Sequence, residues 1–113
     1  RARIGREVLP DLLRPVGAAR GLPHWLYDDP AVWALERRTV FRQGWLGVAF
    51  ESDLPNPGDC APVEFAGLKL LLTRAADGAI RAFHNICPHR GMPLLDAPRS
   101  GCRTLACPWH AWT

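Results

Sequence analysis

Lysine is almost missing from this chain: of its fourteen basic residues only Lys69 is not arginine. The basic residues are scattered rather than striped, and the net charge is only +3, so the footprint of a nucleic-acid partner is absent. There is no apolar run of eighteen residues, which excludes a transmembrane helix. No secretory signal pattern is present. Together these absences imply a cytoplasmic protein with no membrane partner. Without a sign of secretion, the four cysteines argue for metal ligation or free thiols rather than a disulfide frame. No internal repeat is visible. A length of 113 residues allows one domain at most.

The first 21 residues mix Gly5, Pro10, Pro15 and Gly17 with arginines and lack periodicity, so they read as an arm or linker. A sharper alternative is an amphipathic docking helix at Val8–Leu13. Residues 22–113 then form the domain. Asp29 can cap a helix with Pro30 at its first position, running to about Arg42 with Gly44 just beyond. Val32, Trp33, Leu35 and Val40 share one arc of it, into which Glu36 intrudes. From Trp45 the pattern changes to short strands: Trp45–Phe50, Ala61–Phe65, Leu68–Thr73, Ala79–His84 and Arg103–Ala106. Turns at Ala66-Gly67 and Asp77-Gly78 join the middle three. The class is therefore mainly β, a small antiparallel sandwich with one N-terminal helix.

The stretch that organises the chain is Cys87-Pro88-His89-Arg90-Gly91, followed after a gap by Cys107-Pro108-Trp109-His110. The spacing is C-x-H, seventeen residues, then C-x2-H. Two thiols and two imidazoles make a four-ligand set that suits zinc or an iron–sulfur centre. Zinc sites usually bring like pairs, C-x2–4-C and H-x3–5-H. Here each half supplies one Cys and one His. That favours a two-iron cluster in which one iron takes both sulfurs and the other both imidazoles. His84 is a rival ligand, but it falls in a strand and the other set is complete. His24 has no partner at useful spacing, and Cys60 and Cys102 read as free thiols.

Cys87-Pro88-His89-Arg90-Gly91 with Cys107-Pro108-Trp109-His110-Ala111-Trp112 resembles the Rieske motif of bacterial ring-hydroxylating oxygenase alpha subunits. The resemblance extends from about Leu22 to Thr113 and includes Asn85. It implies a 2Fe-2S cluster, with Cys87 and Cys107 on one iron and His89 and His110, facing solvent, on the other. It further implies electron relay from a reductase or ferredoxin to a mononuclear non-haem Fe(II) site. Only His24 and His84 remain for such a site, so it is expected in a downstream domain of a larger protein, of which this chain is a fragment. A homo-oligomer, a trimer, is implied for the full subunit. The alternative is a stand-alone Rieske ferredoxin. Leu22-Pro23 with Tyr27 resembles the branch acting on quaternary amines as well as aromatic acids, which leaves the substrate open. The Arg90 of His-Arg-Gly is either a plain loop cation or a clamp on carbonyls or carboxylates. High-potential respiratory Rieske proteins differ at three places, where this chain has Met92 and Trp109 for two bridging cysteines and Trp112 for a serine.

Overall fold

The structure, a computed structural model, describes residues 8–113 and divides into two compact units, Arg1–Trp45 and Leu46–Thr113. Residues 1–7 of the expected arm lie outside the described residues.

The first unit is helical. A single turn, α1, spans Leu9–Leu12 with Pro10 in its opening turn, where a missing N–H costs nothing. It falls inside the stretch named as the alternative docking helix. A second turn, α2, covers Trp25–Asp28, and α3 covers Pro30–Glu36. Asp29 caps α3 as its sequence position predicts: its Oδ1 accepts from the Ala31 N–H at 2.7 Å. Helical winding continues to Phe41, but residues Arg37–Phe41 widen to a π-helix. The Thr39 hydroxyl donates to the Leu35 carbonyl at 2.8 Å within this region, a side-chain bond that competes with the regular ladder. Val8, Leu26 and Val32 form the buried cluster, with Leu12 and Trp25 packed against it. Of the predicted arc only Val32 is buried. Trp33 and Val40 are exposed, and the Trp33 ring lies 5.5 Å from that of Phe41.

The second unit is built on an antiparallel sheet in the order β1-β2-β3, formed by Cys60–Phe65, Leu68–Arg74 and Ile80–His84. Both hairpins turn where the sequence places them. Ala66 and Gly67 sit at positive φ between β1 and β2. Between β2 and β3 the Asp77 carboxylate accepts the Ala79 N–H at 3.0 Å, with Gly78 at φ +81°. Leu71, 1 % exposed, anchors the core with Cys60 and Leu95, and Leu94, Cys102 and Leu105 pack around them.

Two expected strands are absent among the described residues. Trp45–Phe50 is irregular and leads into a 3-10 turn at Glu51–Asp53. Arg103–Ala106 is irregular too. β propensity makes a strand only where a partner supplies a ladder. In the second case the chain pairs earlier, through a bridge from Arg99 to Cys60. That bridge, not a strand ending at Ala106, brings the last segment back to the sheet.

Candidate metal centre

Each Cys/His pair sits on a tight turn, and the two turns are built alike. In the first, the Cys87 N–H donates to the Met92 carbonyl at 2.7 Å and the Gly91 N–H returns to the Cys87 carbonyl at 2.9 Å. In the second, the Cys107 N–H donates to Trp112 at 2.7 Å and the Ala111 N–H to Cys107 at 2.9 Å. The fifth residue of each turn is left-handed, Gly91 at φ +71° and Ala111 at φ +56°. Pro88 and Pro108 hold the second position of both, limiting the freedom each loop loses on ordering. The histidine comes third in one turn and fourth in the other.

Asn85 ties the first turn to the sheet. Its backbone N–H extends the ladder to the Lys69 carbonyl at 2.8 Å. Its buried side chain donates to the Leu95 carbonyl at 2.6 Å and accepts from the N–H groups of Leu94 and Leu95 at 3.0 and 3.1 Å. The loop leaving the first turn is thereby folded back on the strand that enters it.

These turns sort the four side chains by type. Cys87 and Cys107 are 2 % and 3 % exposed and are hydrogen-bonding neighbours through their thiols. His89 and His110 are exposed, with ring centroids 5.1 Å apart. The Cys107 thiol is held below the ordinary range, chiefly by the Trp109 backbone N–H, then by the His110 N–H and the Cys87 thiol, against the opposing effect of burial. Backbone donors aimed at a buried sulfur favour thiolate, the form that ligates metal. Among the described residues no three His, Cys, Asp or Glu side chains converge on one point fit for a single ion. A sulfur pair inside and an imidazole pair outside suit a dinuclear group.

Aromatic rings frame the imidazoles. Trp112 stacks on His89 with centroids 5.0 Å apart and planes 11° from parallel, and Trp109 stacks on His110 at 4.9 Å. The Arg90 guanidinium lies over the Trp109 ring at 5.7 Å. His84 is exposed on β3, and His24 is exposed beside Asp28 at 3.6 Å.

Residues 44–113 match the Rieske [2Fe-2S] domain family. The chain belongs to that family. Its cofactor is the 2Fe-2S cluster, and the matched span coincides closely with the second compact unit. Over 108 residues the chain is 36 % identical to the glycine betaine monooxygenase oxygenase subunit of Chromohalobacter salexigens, covering 96 % of this chain and 24 % of that protein. Over 91 residues it is 37 % identical to the carnitine monooxygenase oxygenase subunit of Escherichia coli K12, covering 80 % and 24 %. A solved structure of a quaternary ammonium Rieske monooxygenase with gamma-butyrobetaine superposes with a TM-score of 0.77 at 33 % identity, covering 91 % of this chain and 28 % of that one. This Rieske chain thus spans about a quarter of the length of the curated relatives it matches.

Proposed function

We propose that this chain is the electron-transfer domain of a Rieske oxygenase's oxygenase subunit, with Cys87 and Cys107 ligating one iron and His89 and His110 the other. The observation that carries the reading is the sorting of ligands, thiols paired inside and imidazoles paired at the surface. Bound there, the cluster supplies reversible one-electron transfer. The two twin turns hold the donor atoms in place, and the backbone N–H groups around Cys107 stabilise negative charge on sulfur. The exposed His89 and His110 form the face on which a reductase or ferredoxin delivers electrons.

The acceptor is a mononuclear non-haem Fe(II) in a catalytic domain outside these 113 residues. The relatives named above are oxygenase subunits aligned through both units of this chain, which supports that assignment over a stand-alone Rieske ferredoxin. Quaternary ammonium compounds are the first substrate class to test, after the compounds in those relatives' names. The working subunit is a homo-oligomer, a trimer, in the cytoplasm. Among the described residues no helix is long and apolar enough to cross a membrane.

Anaerobic reconstitution tests the site. The protein is expected to turn red-brown and bind two irons and two sulfides, and Cys87→Ser or Cys107→Ser to abolish both. Colourless protein with one stoichiometric zinc would overturn the ligand assignment. Reading the gene past Thr113 separates oxygenase from ferredoxin, since only the former continues into a catalytic domain.

A further inference from the structure

The four cysteines form two pairs, and the cluster accounts for one. Cys60, at the start of β1, and Cys102, in the segment leading to the second ligand turn, are also neighbours. Both side chains belong to the core of the second unit, where the Cys60 thiol donates to the Gly58 carbonyl at 3.6 Å and interacts with the Cys102 thiol. The backbone holds them there from both sides. Cys60 and Arg99 exchange both N–H···O bonds, at 2.8 and 2.9 Å, and the Cys102 N–H donates to Gly58 at 2.8 Å. Gly58, at φ +88°, permits this approach, since a Cβ there would lie 3.1 Å from the Cys102 nitrogen. The two thiols differ in access. Cys60 is buried, whereas Cys102 is half-buried, and both line an open groove bounded by Thr73, Arg74, Gly101 and Arg103.

We propose that Cys60 and Cys102 form a reversible disulfide, made by exchange with a low-molecular-weight disulfide that enters the groove at Cys102. The Cys102 thiolate attacks one sulfur of the incoming disulfide, forming a mixed disulfide and releasing one thiolate, which takes up the Cys102 proton. The Cys60 sulfur then attacks the Cys102 sulfur. It gives up its proton to the second departing thiolate and closes the protein bond. Two protein thiols are oxidised by two electrons, and one disulfide is reduced to two thiols. The order of attack follows from access and from burial, which pushes the Cys60 thiol up to about 11, with the Cys102 thiol adding to that effect. Cys60 is therefore a poor first nucleophile. Its position against Cys102 makes it an effective second one.

The bond would join the start of β1 to the segment five residues before Cys107, closing a ring that contains β2, β3 and the first ligand turn. Both ligand turns would then hang from one covalent frame, whichever redox state the cluster holds.

Glutathione disulfide is a suitable probe, applied anaerobically to the cluster-loaded chain before alkylation and trypsin digestion. Cleavage after Arg42, Lys69, Arg81, Arg90, Arg99 and Arg103 puts each cysteine in a separate peptide. The expected product joins peptides 43–69 and 100–103, disappears on adding dithiothreitol, and leaves the visible spectrum of the cluster intact. Cys102→Ser is expected to eliminate the cross-link and leave Cys60 free to alkylate. A stable glutathione adduct on Cys102 with Cys60 unreacted overturns the proposal, as does full alkylation of both in excess glutathione disulfide. The wild-type peptide map decides this even where the variant fails to fold. The oxidised form is expected to melt roughly 5–15 °C above the reduced one. No rise overturns the stapling role.

Discussion

At the scale of single residues, Asn85 and the two left-handed positions decide how the ligand turns are held. Replacing Asn85 with Ala leaves the buried N–H and carbonyl of Leu95 and the half-buried N–H of Leu94 without their partner. A loss of about 2–4 kcal/mol is expected, measured by chemical denaturation of the loaded protein. A loss below about 0.5 kcal/mol would show that water replaces the amide. Gly91 and Ala111 make a paired test because they occupy equivalent places in twin turns. Gly91→Ala is expected to cost about 1 kcal/mol in backbone strain, since the nearest atom to its new Cβ is Ile86 Cδ1 at an ordinary 3.8 Å. Ala111→Gly relieves the same strain but loosens the unfolded chain, so it is expected to be neutral or stabilising by up to about 0.5 kcal/mol. If Ala111→Gly destabilised more than Gly91→Ala, the equivalence of the two turns would be wrong. The proposed ligand residues stand out in sequence through their chemistry and spacing, and the fold brings the two thiols together and the two imidazoles together. Asn85 was visible only as part of a resemblance, because its partners Leu94 and Leu95 are chosen by a chain reversal that no local pattern encodes.

At the scale of elements, the β2–β3 hairpin carries a pH signature. Asp77 accepts from Ala79 in the turn and pairs with Arg81 through two contacts, at 3.0 and 2.7 Å. The Arg81 hydrogen bond, then the Ala79 N–H, holds the Asp77 carboxyl down to about 2. The folded value lies below the ordinary 3.8 of the unfolded chain. Its stabilisation is therefore complete above about pH 4 and fades as pH falls through about 2. Asp77→Asn is expected to flatten the melting temperature between those pH values, as followed by circular dichroism. An unchanged slope would place the acid sensitivity elsewhere. The hairpins themselves were readable, because Asp-Gly and Ala-Gly are turn chemistry and the runs around them alternate or stay apolar. The α3 start was readable for the same reason, through its Asp-Pro cap. Trp45–Phe50 and Arg103–Ala106 misled because pairing, which sequence does not display, settles whether an apolar run becomes a strand. The side chain of Arg74 shows the same limit. It bonds the carbonyls of Leu54, Gly78 and Glu51 from within β2, fixing the 3-10 turn to the sheet across 23 residues of sequence.

At the scale of the whole molecule, the redox potential sums the donors that surround the ligand sulfurs. Hydrogen bonds to sulfur stabilise the reduced, more negative state and raise the potential. The Trp112 ring, which stands where the respiratory proteins place a serine, is committed to stacking on His89. Met92 and Trp109 exclude the disulfide those proteins place between the loops. The midpoint is expected at the low end of the Rieske range, roughly −150 to 0 mV. A voltammetric value above about +200 mV would place this chain with the respiratory carriers. The Trp112 stack has an optical consequence as well. An indole belonging to one turn lies flat against an imidazole belonging to the other, in a fixed and handed setting, so its near-ultraviolet dichroism reports whether the two turns are docked. Trp45, fully exposed, contributes little to such a signal. Read as the difference from Trp112→Phe, which cancels the indoles of Trp33 and Trp109 held against other rings, that signal gauges the gap between the two loops without a label.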